Sequence, residues 1–275
     1  MAANLPSFAV LKQTCALLLL ALLPLLGRAQ SKRTAPAALW PELQLSYGVG
    51  SSGHFFLWNQ YRINTDEAYN DLTRRGPLSH FERIELTLGY EHTFSAHWRG
   101  GALVRYAAEN YPKTGFYTLF LRHNGQIGNV YFNKQALFAY AHREAQQAVG
   151  QFLLKAEAGR RFPVGQQFLT PVVSYEVMLL QEFNQDKTAP RDERIVDRTR
   201  LQLGLTYELT EKLRLTPYVL RQTDYYYVLI PPVYDELGQL QKDGYTSARN
   251  RITPVVGLEL KYSLHTAPNT ASITY

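Results

Sequence analysis

The stretch DRTRLQLGLTYELTEKLRLTPYVL, residues 197–220, alternates apolar and polar side chains, turns on Thr210 and Glu211, and starts again. From Leu201 the odd positions read Leu201, Leu203, Leu205, Tyr207 and Leu209. The even positions read Arg198, Arg200, Gln202, Gly204, Thr206 and Glu208. Successive side chains of a strand point to opposite faces, so such a strand lies between two chemically distinct surroundings. One is smooth and apolar. The other takes charge and glycine.

The pattern recurs along the chain. RIELTLGYEHTF sets Ile84, Leu86, Leu88, Tyr90 and Phe94 against Arg83, Glu85, Thr87, Gly89 and Glu91. HWRGGALVRYAAEN sets Trp98, Ala102, Val104 and Tyr106 against Arg99, Gly101 and Arg105. GQFLLKAEAGRRF sets Phe152, Leu154, Ala156 and Ala158 against Lys155, Glu157, Gly159 and Arg161, and RITPVVGLELKYSL repeats the motif with Arg251, Gly257, Glu259 and Lys261 on the polar side. These runs reach about 10 to 16 residues, well past the five or six usual in globular sheets. A tilted strand crossing a bilayer needs roughly 9 to 11.

The connections sort by length. Short ones fall at 95–96, 123–129, 163–166 and 210–211, and longer ones at 64–79, 144–149, 184–193 and 230–248. Short turns at one end and longer loops at the other characterise outer-membrane barrels. A closed barrel also pairs every backbone donor and acceptor internally, as hydrocarbon demands. The expected fold is therefore an all-β, antiparallel transmembrane barrel, with the apolar face toward lipid and the charged face lining the interior. Tyr90, Trp98, Tyr106, Tyr207 and Tyr262 lie near strand ends and suit the aromatic girdles at the membrane interfaces. Eleven segments are legible, near 40–49, 54–63, 81–94, 97–109, 115–122, 130–142, 150–162, 167–182, 195–209, 212–228 and 249–264. Two termini on the periplasmic side require an even number. The expectation is thus about ten strands, with 40–49 outside the wall, or twelve if one segment is concealed.

The N-terminus reads as a processing signal, with Lys12 ahead of the apolar run CALLLLALLPLLG (15–27) and small residues Gly27 and Ala29 before a cut. Residues 1–29 are expected to be a cleaved signal peptide, leaving Gln30 first and residues 30–275 as a single barrel domain. Removing Lys12 and Arg28 takes the formal charge from +6 to +4, and the lone Cys15 leaves with the signal. Disulfides and cysteine metal sites are then excluded. An exported chain with interspersed charge has no nucleic-acid partner. Its expected location is the outer membrane of a Gram-negative envelope. Its expected partners are outer-membrane lipid and, during biogenesis, the barrel-assembly machinery.

That machinery reads a C-terminal strand of the form polar-x-Gly-x-x-apolar-x-aromatic. VVGLELKY supplies Gly257, Leu260 and Tyr262, with Val255 at the polar position, and Tyr275 ends the chain. On FERIELTLGYEH, DRTRLQLGLTYEL and RNRITPVVGLELKY, where a charged pair opens an alternating strand, the chain resembles a domain-of-unknown-function family of short Gram-negative outer-membrane barrels. The resemblance spans most of residues 40–264. It implies fold and location, and brings no activity, cofactor or site residues.

The predicted inward charges are Arg83, Glu85, Arg99, Arg105, Lys155, Glu157, Arg161, Glu176, Arg198, Arg200, Glu208, Arg214, Arg251, Glu259 and Lys261. Charges withdrawn from water are costly unless paired. The interior is therefore expected to hold a cross-strand network that fills the lumen, the rival reading being a narrow pore for small anions. An envelope lipid or ester hydrolase would need a Ser–His pair. Ser79 beside His80, Ser95 near His92 and His97, and Ser263 with His265 are the available pairs, and no Gly-x-Ser-x-Gly elbow is present. An acid pair at the rim would draw on Asp192, Glu193 and Asp197. His92 and His97 do not meet zinc spacing, so neither a catalytic set nor a metal or cofactor site is assigned. The Tyr225–Tyr234 stretch is an interfacial belt or an aromatic ligand platform. A soluble periplasmic β-protein is the remaining alternative.

Overall fold

In the computed structural model the described residues are 31–265, except 74, 75, 77, 111, 112, 184–194 and 236. Eleven long strands form the wall: β1 (Ala38–Val49), β2 (Gly53–Asn64), β3 (Arg83–Thr93), β4 (Trp98–Ala108), β5 (Thr114–Ile127), β6 (Val130–Arg143), β7 (Val149–Gly159), β8 (Gln167–Glu182), β9 (Val196–Glu208), β10 (Leu213–Ile230) and β11 (Tyr245–His265). Each pairs antiparallel with its sequence neighbour, and β11 returns to β1, which closes the sheet into a barrel.

The closing pair is parallel, with Val255 opposite Ala38 and Lys261 opposite Gln44. The short N-terminal strand Ser31–Thr34 continues beside Arg249–Ile252 of β11, also parallel. The eleven legible segments all join the wall, including the first, which the parity argument set aside. The wall starts at the long-connection end and finishes at the short-turn end. An odd count closed by a parallel pair is also found in the 19-stranded mitochondrial barrel.

Strand bounds follow the alternation closely, except that β11 starts at Tyr245, inside the expected 230–248 connection, and β5 runs past its expected end. Residues 123–127 read as turn because Asn124 and Gly125 disfavour strands. Instead β5 runs on to Ile127, and Asn124, Gly125 and Gln126 pair with Asn133, Phe132 and Tyr131. A two-residue turn at Gly128 and Asn129, with Gly128 at φ 58°, makes the reversal. The ladder to β6 overrides local preference there.

The barrel is inside-out relative to a soluble protein. Among the described residues, buried polar and charged side chains outnumber buried hydrophobic ones. The outward row of nearly every strand is exposed and apolar, including Leu43, Leu57, Leu88, Val104, Leu119, Phe138, Leu154, Val173, Leu203, Val219 and Leu258.

The interior glycines answer the question raised by the alternating strands. Gly89 lies directly opposite Phe56, and Gly257 opposite Tyr218. A Cβ on Gly89 would sit 2.3 Å from the Phe56 ring, and one on Gly257 would sit 2.0 Å from Tyr218. Each glycine leaves the space into which a ring from the next strand lies down. Such cross-strand aromatic–glycine pairs fix register.

Candidate functional site

The interior is layered along the barrel axis. At the short-turn end, Glu91 near the end of β3 lies 3.5 Å from Arg99, 3.2 Å from Arg122 and 3.8 Å from His54. Glu91 and Arg99 are 2% and 1% exposed. The carboxylate and guanidinium are thus withdrawn from water together, while Arg122 beside them stays 26% exposed. Nearby, Arg161 pairs with Glu208 and covers the Phe168 ring at 3.4 Å, while Lys155 pairs with Glu157 at 3.1 Å.

The middle layer is a hub on Glu42 of β1. Its carboxylate accepts from Trp58 at 2.9 Å, from Gln60 at 2.8 Å and from the Tyr218 hydroxyl. Tyr218 belongs to β10 and must cross β11 to arrive. Gly257 is the residue it crosses. The hub therefore ties together both strands of the parallel closure and their neighbours on either side.

The layer toward the long connections is rich in arginine. Glu85 is surrounded by Arg62 at 2.7 Å, Arg83 at 2.8 Å and Arg105 at 3.3 Å. Arg83 also reaches Glu109 at 3.3 Å. From the facing wall, Arg200 contacts Glu176 at 3.3 Å and donates to Gln222 at 2.9 Å. Trp40 joins the two sides, with the guanidiniums of Arg62 and Arg200 4.3 and 5.3 Å from its ring centroid. Arg198 donates to the Met178 thioether at 3.0 Å.

Of the remaining residues in the predicted inward set, Arg214 faces Glu208 on one side and Lys261 on the other. Glu259 is in register with Glu42, and Arg251 lies 5.4 Å from the Tyr69 ring. The members of the set thus meet in local groups at several levels of the barrel. Participants outside the predicted inward set include Trp40, Glu42, Arg62, Glu91, Arg122 and Tyr218. Glu91 is already on the polar face of its strand in the sequence but absent from the inward charge set, and Arg122 follows from continuing the alternation to the end of its segment. Trp40 and Glu42 belong to the segment set aside by parity. Gly257, Leu260 and Tyr262 lie in β11, with Leu260 and Tyr262 on its outer face.

The Ser79–His80 pair and Ser95 with His92 and His97 do not meet, and the His265 side chain lies outside the described residues. Ser95 accepts from the backbone amides of His97 and Trp98, His92 bonds to Tyr90, and Ser263 bonds to Ser46 at 3.2 Å. Ser79 donates to the Gly76 carbonyl. Asp197 is the second residue of β9, whereas Asp192 and Glu193 lie outside the described residues, as do 1–30 and the tail 266–275. Among the described residues no group of three His, Cys, Asp or Glu converges for a metal. Tyr225 to Ile230 extend β10 in pairing with β11. Compared with protein-family models, curated proteins and solved structures, the chain matches none.

Proposed function

We propose that this chain is an integral outer-membrane β-barrel with an occluded interior, acting as a structural or surface-interaction barrel and not as an open channel. The observation that carries the reading is the continuous outward belt of exposed leucine, valine, phenylalanine and tyrosine around a polar, ion-paired interior. Exposed apolar area on this scale is untenable for a water-soluble monomer and natural against lipid. Arg221 marks the upper limit of the belt on β10, beyond which Thr223, Tyr225 and Tyr227 follow on the outer face. A long side chain there carries its charge to the interface while its stem stays apolar. Occlusion rests on the fully buried Glu91–Arg99 pair and on the Glu42 hub below the arginine layer.

Mobility of the membrane-fraction protein on a denaturing gel, with and without boiling, tests the barrel. Faster migration without boiling is the expected result. Release by osmotic shock with no mobility shift would replace the reading with a soluble periplasmic β-protein. For occlusion, planar-bilayer recording is expected to show no steady conductance. Stable open-channel steps from purified protein would make it a pore.

A further inference from the structure

The arginine layer carries more positive charge than its carboxylates balance. Arg83 is matched by Glu109, leaving Arg62, Arg105, Arg198 and Arg200 around Glu85 and Glu176. These groups converge from opposite sides of the barrel. Arg62 and Arg105 approach from β2 and β4, and Arg198 and Arg200 from β9, with Trp40 between the two sides. Asp224, the cross-strand neighbour of Arg198, accepts from the Gln222 amide at 3.0 and 3.1 Å and offsets one further charge, which still leaves the layer net positive.

Arg198 itself is poorly served. Among the described residues no carboxylate lies within ion-pair distance of it, and its hydrogen bond goes to a thioether, a weak acceptor. Its Nε is buried without a partner, and so is the Nε of Arg105. Buried donors left unmade are costly, and guanidinium forks match the geometry of oxyanions.

We propose that this layer is a binding site for a small oxyanion of the phosphate or carboxylate type, entering from the long-connection end and held by Arg198 with Arg200 and Arg105. The inference rests on the occluded reading, because the buried Glu91–Arg99 layer turns the interior into a cup with a floor. The anion offsets the excess positive charge and supplies a stronger acceptor than the Met178 thioether. The ligand is a solute and not a headgroup, since these side chains face inward, away from the lipid belt.

The test uses the full chain folded in nonionic detergent, with folding checked by unboiled mobility. Calorimetric titration with sodium phosphate and with sodium acetate is compared with sodium chloride at matched ionic strength. Saturable binding of phosphate or acetate, absent with chloride, is expected. Arg198→Gln should weaken it by about tenfold or more, the loss of one charge-assisted hydrogen bond. Arg198→Lys, which keeps charge but not the fork, should fall between, and the outward Lys134→Gln should bind as the parent does. Equal responses to all three salts, or undiminished binding by folded Arg198→Gln, would overturn the site. Because binding is read in detergent, failure of the site and failure of the membrane assignment are separate results.

Discussion

Glu91 illustrates how a single interior residue is committed. It faces Arg99, which is buried, and Arg122, so removing its charge takes an ion-pair partner from both guanidiniums. Breaking one side of a buried pair costs about 3–5 kcal/mol, whereas replacing the whole pair by apolar side chains can be neutral. Glu91→Gln is therefore expected to lower the urea midpoint, read as the fraction keeping unboiled mobility. Glu91→Leu combined with Arg99→Leu should recover part of the loss. If Glu91→Gln unfolds at the parental midpoint, the layer is not sealed as described.

At the scale of the strand, the controlling device is the ring seated on a glycine across the ladder. Gly257 does two things on β11: it admits the Tyr218 ring and so lets that hydroxyl reach Glu42 on the next strand. Gly257→Ala places a methyl inside the ring's space. The ring must leave, the hub loses a donor, and overpacking of this kind costs about 1–3 kcal/mol. Gly257→Ala alone should lower the urea midpoint, and the same change beside Tyr218→Ala should cost less than the sum of the two single effects. Strict additivity would show that the ring and the glycine are not coupled. This packing role also bears on reading Gly257 as part of an assembly signal, since a variant there alters the finished wall as well as any recognition step.

For the whole molecule, the parallel closure sets the two ends of the wall on opposite sides. Lys32 lies by the long-connection end with Gln241, whereas Glu211 sits in a short turn at the other end. The sequence has one cysteine, Cys15, within the expected signal, so introduced cysteines report alone. Lys32→Cys and Gln241→Cys are expected to react together with a membrane-impermeant maleimide on intact cells, and Glu211→Cys to behave oppositely. Lys32→Cys labelling with Glu211→Cys would restore an even-stranded wall.

The alternation in 197–220 and its repeats determined the fold class, the bounds of most strands and the facing of the charges within the alternating runs, because side-chain direction in a strand is a local property with a period of two. It left open which inward charges meet. Glu85 gathers arginines from β2, β3 and β4, and Trp40 on β1 faces Arg200 on β9. Those meetings depend on how far each strand slides past the next and on how the sheet curves round to itself. The same global quantity decided the role of the first strand. Residues 38–49 carry the correct pattern, but a pattern states only that a strand has two faces. Its place in the wall came from β11, which at closure offered an unpaired edge running parallel to it. Closure is a property of all eleven strands together, and no stretch of the sequence contains it.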